Sequence, residues 1–213
     1  MSLAAASTTA VDPSVARGDA RRTTGSELAV LALVVLAAFI ARFWAFGATG
    51  MSHFDEGVYA ISATGLAQPP HHLFPNQIHF SPPFYFTTVG IALRLFGGAT
   101  DHVAVMVNIL LGTATVAAVW WIGRTWFGAR AGIIAAALLA LSQFHILLSR
   151  VVLTDAAFSF WFILALAAIT LAVDRRDYRL AVLAGAVVGM AWNTKYHGWF
   201  ALLITGVALA PAL

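Results

Sequence analysis

Apolar residues run almost unbroken over positions 28–46, 102–121, 131–149, 156–173, 180–192 and 199–213, and Arg42 is the one charged residue inside these runs. A helix needs about 20 apolar residues to cross a bilayer core of about 30 Å, so the pattern predicts about six transmembrane helices, the fifth extending slightly beyond its apolar stretch. The runs are continuous and rich in Ala and Leu, which excludes the alternation of a membrane-spanning barrel. A seventh apolar stretch, 84–96, lies between Pro82-Pro83 and Gly97-Gly98 and contains Arg94. Thirteen helical residues would cover only about 20 Å, so an interfacial helix is expected there. A second interfacial helix is expected after Asp55, where Val58, Ile61, Gly65 and Leu66 recur at helical spacing. The fold class read from the pattern is therefore an all-α polytopic membrane protein with two juxtamembrane helices in a long loop, 47–101. Residues 1–26 are rich in Ala, Ser, Thr, Asp and Arg without apolar periodicity, which predicts a disordered tail. A cleaved signal peptide is not expected, because the first apolar run begins late and is too long.

Composition agrees with the pattern. Of 213 residues, 61% are hydrophobic and 10% charged, too few polar groups to cover a soluble globule. The net charge of +3 sits in short loops and reports membrane orientation, not a nucleic-acid partner. Six spans with a cytoplasmic N-terminus put Arg17, Arg21, Arg22, Arg124, Arg130, Arg175, Arg176 and Arg179 inside, and leave Arg42, Arg94, Arg150 and Lys195 outside. A seventh span would invert that bias. The chain has no cysteine, so disulfide and thiol chemistry are absent from its repertoire.

This orientation gathers Asp55, Glu56, Arg150, Asp155, Lys195 and all seven histidines at the outer face. Ionisable groups at a membrane are costly and tend to serve function. Asp55 and Glu56 could accept a proton from a hydroxyl or offer hard oxygen ligands to a divalent cation; the plainer alternative is that Asp55 caps the following helix with Glu56 in its first turn. Arg150 and Asp155 could form a structural ion pair pinning their turn, or act as anion binder and second carboxylate. Lys195 could anchor its helix at the headgroups or supply a positive charge to a phosphate. His71, His72 and His79 are weak metal-ligand candidates, and Asn108 is expected to hydrogen-bond between helices. A transporter would require mid-span ionisable residues and an internal repeat, and no repeat is visible; a non-catalytic membrane scaffold is the remaining alternative.

Several motifs share one order along the chain: Asp55-Glu56-Gly57-Val58-Tyr59-Ala60, His79-Phe80-Ser81-Pro82-Pro83-Phe84-Tyr85, Arg94-Leu95-Phe96-Gly97, Gly123-Arg124-Thr125-Trp126-Phe127-Gly128, Ser149-Arg150 with Asp155, and Thr194-Lys195-Tyr196 after Gly189. In this order they resemble the membrane glycosyltransferases of type C fold, particularly the protein O-mannosyltransferase and aminoarabinose-transferase group that uses polyprenyl-phosphate sugars. The resemblance covers about residues 28–213. It implies inverting transfer of a sugar from a polyprenyl-phosphate donor to a protein, lipid or glycan acceptor on the non-cytoplasmic side, in the plasma membrane. Asp55 is then the catalytic base or a metal-adjacent carboxylate, assisted by Glu56 and Asp155. A divalent metal, if used, would sit at Asp55 and Asp155, while Lys195 and Arg150 would hold the donor phosphate. His53, Tyr59, His79 and Tyr196 are further site candidates. Members of the group are more than twice as long, which implies that the chain corresponds to their N-terminal part.

Overall fold

A computed structural model describes residues 23–48, 50–51, 53–67, 81–96 and 100–209. Among these, every regular element is helical: α1 (Gly25–Phe43), α2 (Phe54–Ala67), α3 (Phe84–Leu95), α4 (Asp101–Phe127), α5 (Ala129–Leu141), α6 (Gln143–Leu148), α7 (Thr154–Arg175), α8 (Tyr178–Thr194), a 3-10 turn (Tyr196–Trp199) and α9 (Phe200–Leu209). The expected tail falls mostly outside the described residues. Three helices, α1, α4 and α7, are long and apolar enough to cross a membrane. The other three apolar runs, expected as spans, form shorter helices among the described residues, the α5–α6 pair, the 17-residue α8 and α9, so the helices of spanning length do not reach the six expected.

The run at 131–149 is one stretch in the sequence and two helices in the structure. Ser142 leaves helical geometry (φ −64°, ψ 109°) and its hydroxyl accepts from the His145 amide at 3.4 Å, so α5 ends and α6 begins at the same residue. The break turns His145 and Ser149 inward onto Arg42, which is wholly buried in the last turn of α1. A buried guanidinium is tolerated only when its donors are filled. Arg42 donates to the Ala38 carbonyl at 2.9 Å, the Ala140 carbonyl at 3.4 Å, His145 Nδ1 at 2.8 Å and Ser149 Oγ at 3.3 Å. Because arginine can only donate, His145 Nδ1 must accept, and the histidine is neutral with its proton on Nε2. This knot fastens the end of α1 to the start of the α6–α7 connection.

At its other end α1 is fixed by charge. Thr24 caps it by accepting from the Glu27 amide at 3.2 Å, and the Glu27 carboxylate accepts from Arg124 Nε at 2.8 Å and Trp120 Nε1 at 3.2 Å. Thus α1 and α4 run antiparallel. Helices α4 and α5 then cross at Gly123 and Gly132, where a Cβ on Gly132 would lie 2.7 Å from the Trp120 carbonyl oxygen; only glycine permits that approach.

Both helices of the long loop form as expected. The twelve residues of α3 turn Tyr85, Phe86, Val89, Gly90 and Leu93 inward and leave Ile91, Arg94 and Leu95 exposed, a one-sided burial that suits an interfacial position. Its buried side joins Ala63 of α2, Ala104 of α4, and Val152 and Ala157 at the start of α7 in one apolar cluster. That cluster is the floor on which the candidate site rests.

Candidate functional site

The start of α2 sorts the two adjacent carboxylates. Glu56 lies three residues after His53 and its Oε2 accepts the His53 amide at 2.9 Å, which caps the helix from within its first turn. Its Oε1 accepts the Val152 amide, 96 positions away, at 2.9 Å. Glu56 is 2% exposed. Capping, expected of Asp55, therefore falls to Glu56, because an N-terminal carboxylate must sit one turn into the helix to reach back to the leading amide. Asp55 is left half-exposed, its one charged pair among the described residues being with His53 at 3.8 Å. In this arrangement His53 Nδ1 accepts from the Asp55 amide at 3.1 Å, so that nitrogen carries no proton to share with the carboxylate.

The Glu56–Val152 bond ties the first outer loop to the connection between α6 and α7, and Asn108 of α4 ties the same connection from below. The Asn108 amide nitrogen donates to the carbonyls of Val151 and, at 2.8 Å, Leu153. This is the interhelical role expected of Asn108. It also lies near the buried phenol of Tyr85; neither the Tyr85 hydroxyl nor Asn108 Oδ1 has a hydrogen-bond partner among the described residues.

Held this way, α7 begins with Asp155 in its first turn. Lys195, which caps the C-terminus of α8, donates to Asp155 Oδ1 at 2.6 Å, and both side chains are about one-third exposed. Behind Lys195 the chain reverses through Gly198, whose backbone lies so close to Ala191 and Trp192 that no side chain fits. The sequence offered Arg150 as partner for Asp155, but Lys195 takes that place. Arg150 instead lines a crevice of about 50 Å³ with Phe46, Gly47, Gly50, Asp101 and His102. Tyr59, one turn beyond Asp55, is half-buried with its ring against Phe86 and Tyr85. Burial, then the charges of Asp55 and Asp155, push its phenol above the usual range. The phenol thus stays a hydroxyl donor, and it senses carboxylates from two separate loops. Tyr196 is exposed beside Lys195. His71, His72 and His79 lie outside the described residues.

Among the described residues no three His, Asp or Glu side chains gather as a metal site. Asp155 already holds an ammonium and Glu56 two backbone amides, so of the three carboxylates Asp55, Glu56 and Asp155 it is Asp55 that is left uncommitted. Alongside α8, a groove of about 300 Å³ is lined by Phe84 and Thr87 of α3 and by Gly189, Met190 and Asn193, and it ends close to Lys195 in sequence.

Removing Glu56 would strand two amides. Each lost acceptor costs about 1–3 kcal/mol, so Glu56→Ala is expected to lower the thermal midpoint of the detergent-solubilised protein and to loosen the first loop. Glu56→Gln, which keeps one acceptor oxygen, is expected to fall between. Tryptophan fluorescence on heating reads both; equal midpoints for all three proteins would remove the tether from the account.

Residues 81–212 match the family described as dolichyl-phosphate-mannose-protein mannosyltransferase. The family match takes in Asp155 and Lys195 but not the segment that carries Asp55 and Glu56. No curated protein matches in sequence. The fold is similar to that of the oligosaccharyltransferase of Archaeoglobus fulgidus in several solved structures. Against the archaeal oligosaccharyltransferase AglB in complex with an inhibitory peptide and a dolichol-phosphate, the TM-score is 0.66 at 20% identity, over 83% of this chain and 24% of that one. Against the apo form the TM-score is 0.67 at 20% identity, over 82% and 24%. The form tethered to an acceptor peptide containing the NVT sequon gives 0.67 at 20% identity, over 84% and 25%. The chain spans about a quarter of those proteins, and at this identity the likeness is one of fold: the type C glycosyltransferase fold.

Proposed function

We propose a function from one premise: the chain belongs to the dolichyl-phosphate-mannose-protein mannosyltransferase family. Family and fold indicate a glycosyltransferase of the type C class, and the family together with the long apolar helices indicates an integral membrane protein. Within it, our reading is that the chain carries the catalytic loops of an enzyme moving a sugar from a polyprenyl-phosphate donor to an acceptor hydroxyl or amide on the non-cytoplasmic side of the membrane, the plasma membrane in the simplest case. The observation that carries the reading is the assembly at one end of the bundle of an uncommitted carboxylate, Asp55, and a lysine–carboxylate pair, Lys195–Asp155, joined through Glu56 and Val152.

Each group has a chemical task. Asp55 accepts the proton of the acceptor nucleophile as that atom attacks the anomeric carbon. The bond from the anomeric carbon to the phosphate oxygen breaks, and the electron pair leaves with the lipid phosphate. Attack opposite the leaving group inverts the anomeric centre. Lys195, a compact and strongly hydrated charge, meets the phosphate as its negative charge grows. Asp155 holds the ammonium in place while no donor is bound, and Glu56 sets the distance between the loops. Tyr59 offers a hydroxyl donor between them, and the groove beside α8 offers apolar surface to the lipid near the headgroup. The AglB complex contains a dolichol-phosphate, and a lipid-phosphate sugar is the matching donor class here.

The reading is tested by reconstituting the whole protein in liposomes with radiolabelled polyprenyl-phosphate mannose and a membrane-extract acceptor. Label is expected to leave the lipid fraction for the acceptor, and none is expected to be taken from a water-soluble sugar nucleotide. Transfer from the nucleotide with the lipid-linked donor inert would overturn it.

A further inference from the structure

A wide groove lies at the end of the bundle away from Asp55, Asp155 and Lys195. It encloses about 900 Å³ where the start of α1, the end of α4 and the start of α5 meet. Val30, Phe127, Ile133 and Ile134 give it an apolar wall, and Thr24 and Arg130 stand on its rim. Phe127 and Ile134 remain mostly exposed, at 76% and 59%. The other charged residues lining it, Glu27 and Arg124, are closed on one another at 2.8 Å with side chains about one-tenth exposed, so they cancel. Arg130 is different. It is exposed, and no ion pair or side-chain hydrogen bond engages it among the described residues.

We propose that this groove is a binding site for an anionic membrane phospholipid, its phosphate at Arg130 and an acyl chain along Val30, Ile133 and Ile134. The layout decides the occupant. Among the described residues that line the groove, one uncancelled cation at its rim and an apolar wall running toward the middle of the helices repeat the order of charge and hydrocarbon in a phospholipid. A helix from another protein would cover the wall and leave Arg130 without a counter-charge, whereas a lipid answers both. A free phosphate would answer the arginine and leave the wall bare. The site is independent of the transfer reaction, since its residues touch none of the groups assigned to it.

The test uses the full chain in detergent, offered equal amounts of phosphatidylglycerol and phosphatidylcholine and read by native mass spectrometry. One arginine near a membrane surface contributes about 1 kcal/mol toward an anionic headgroup, which corresponds to retention of phosphatidylglycerol about fivefold over phosphatidylcholine. Arg130→Gln is expected to bring that ratio to about one. Arg179→Gln, at the same end of the bundle but outside the groove, is expected to leave it unchanged. Ile134→Trp, a substitution at an exposed position that fills the groove, is expected to reduce retention of both lipids. Parity in the unaltered protein would overturn the proposal. So would a preference that survives Arg130→Gln, equal loss in Arg179→Gln, or displacement of the lipid by soluble glycerol phosphate.

Discussion

Asp55→Asn is expected to reduce sugar transfer by about 10²–10⁴-fold, the range that a positioned general base supplies, while leaving the thermal midpoint and donor affinity close to those of the unaltered protein. The separation of these effects follows from the geometry at the start of α2. Glu56, not Asp55, carries the hydrogen bonds that hold the helix and its neighbouring loop, and the Asp55 side chain enters one charged pair among the described residues, with His53 at 3.8 Å. An amide of the same shape therefore disturbs no structural contact and removes only the capacity to take a proton. Asp55→Glu keeps the carboxylate and moves it by one methylene, so it is expected to retain part of the activity. The assay is single-turnover transfer from lipid-linked sugar in liposomes, with donor binding measured separately. Normal transfer by Asp55→Asn would end the assignment of the base, and loss of donor binding would move Asp55 to the donor side.

The sequence and the structure part company at definite places. Helices were legible because they repeat locally: the apolar runs, the proline pair before α3 and the period of Val58, Ile61 and Gly65 are readable within a dozen residues. The meeting of Glu56, Asp155 and Lys195 at one end was legible too, since alternate helix ends of an up-and-down bundle lie together. Asn108 could be foreseen because a lone amide in an apolar helix needs a partner. Contacts between distant segments carried no such signal. Glu56 and Val152 are 96 positions apart, and the partner is a backbone amide, which has no residue type to read. Arg42 looked like another charge near a span end, yet it binds His145 and Ser149 across more than 100 positions. The exchange of Arg150 for Lys195 at Asp155 has the same origin: proximity in sequence favoured Arg150, and the return of α8 beside α7 favoured Lys195. The break at Ser142 gave no signal either, because the apolar run continues on both sides of it.

The Lys195–Asp155 pair permits a sharper experiment than either residue alone. Lys195→Met is expected to lower transfer by about 10²–10³-fold, the scale of removing one preorganised group that stabilises developing charge. A structural role predicts much less. The two side chains are about one-third exposed, and a pair so open to solvent contributes at most about 1 kcal/mol, a factor of about five. The double variant Lys195→Met/Asp155→Asn distinguishes the roles. Removing both charges relieves any cost of leaving one of them unpaired, so stability measured on heating is expected to return toward that of the unaltered protein. Transfer is not expected to return, because the phosphate would still leave without its cation. Lys195→Arg restores the charge but replaces a point ammonium with a planar fork, and is expected to recover transfer only in part. If the double variant regained both stability and transfer, Lys195 would be an anchor for α8 and the leaving phosphate would have to find its cation elsewhere, with Arg150 in its crevice the next residue to replace.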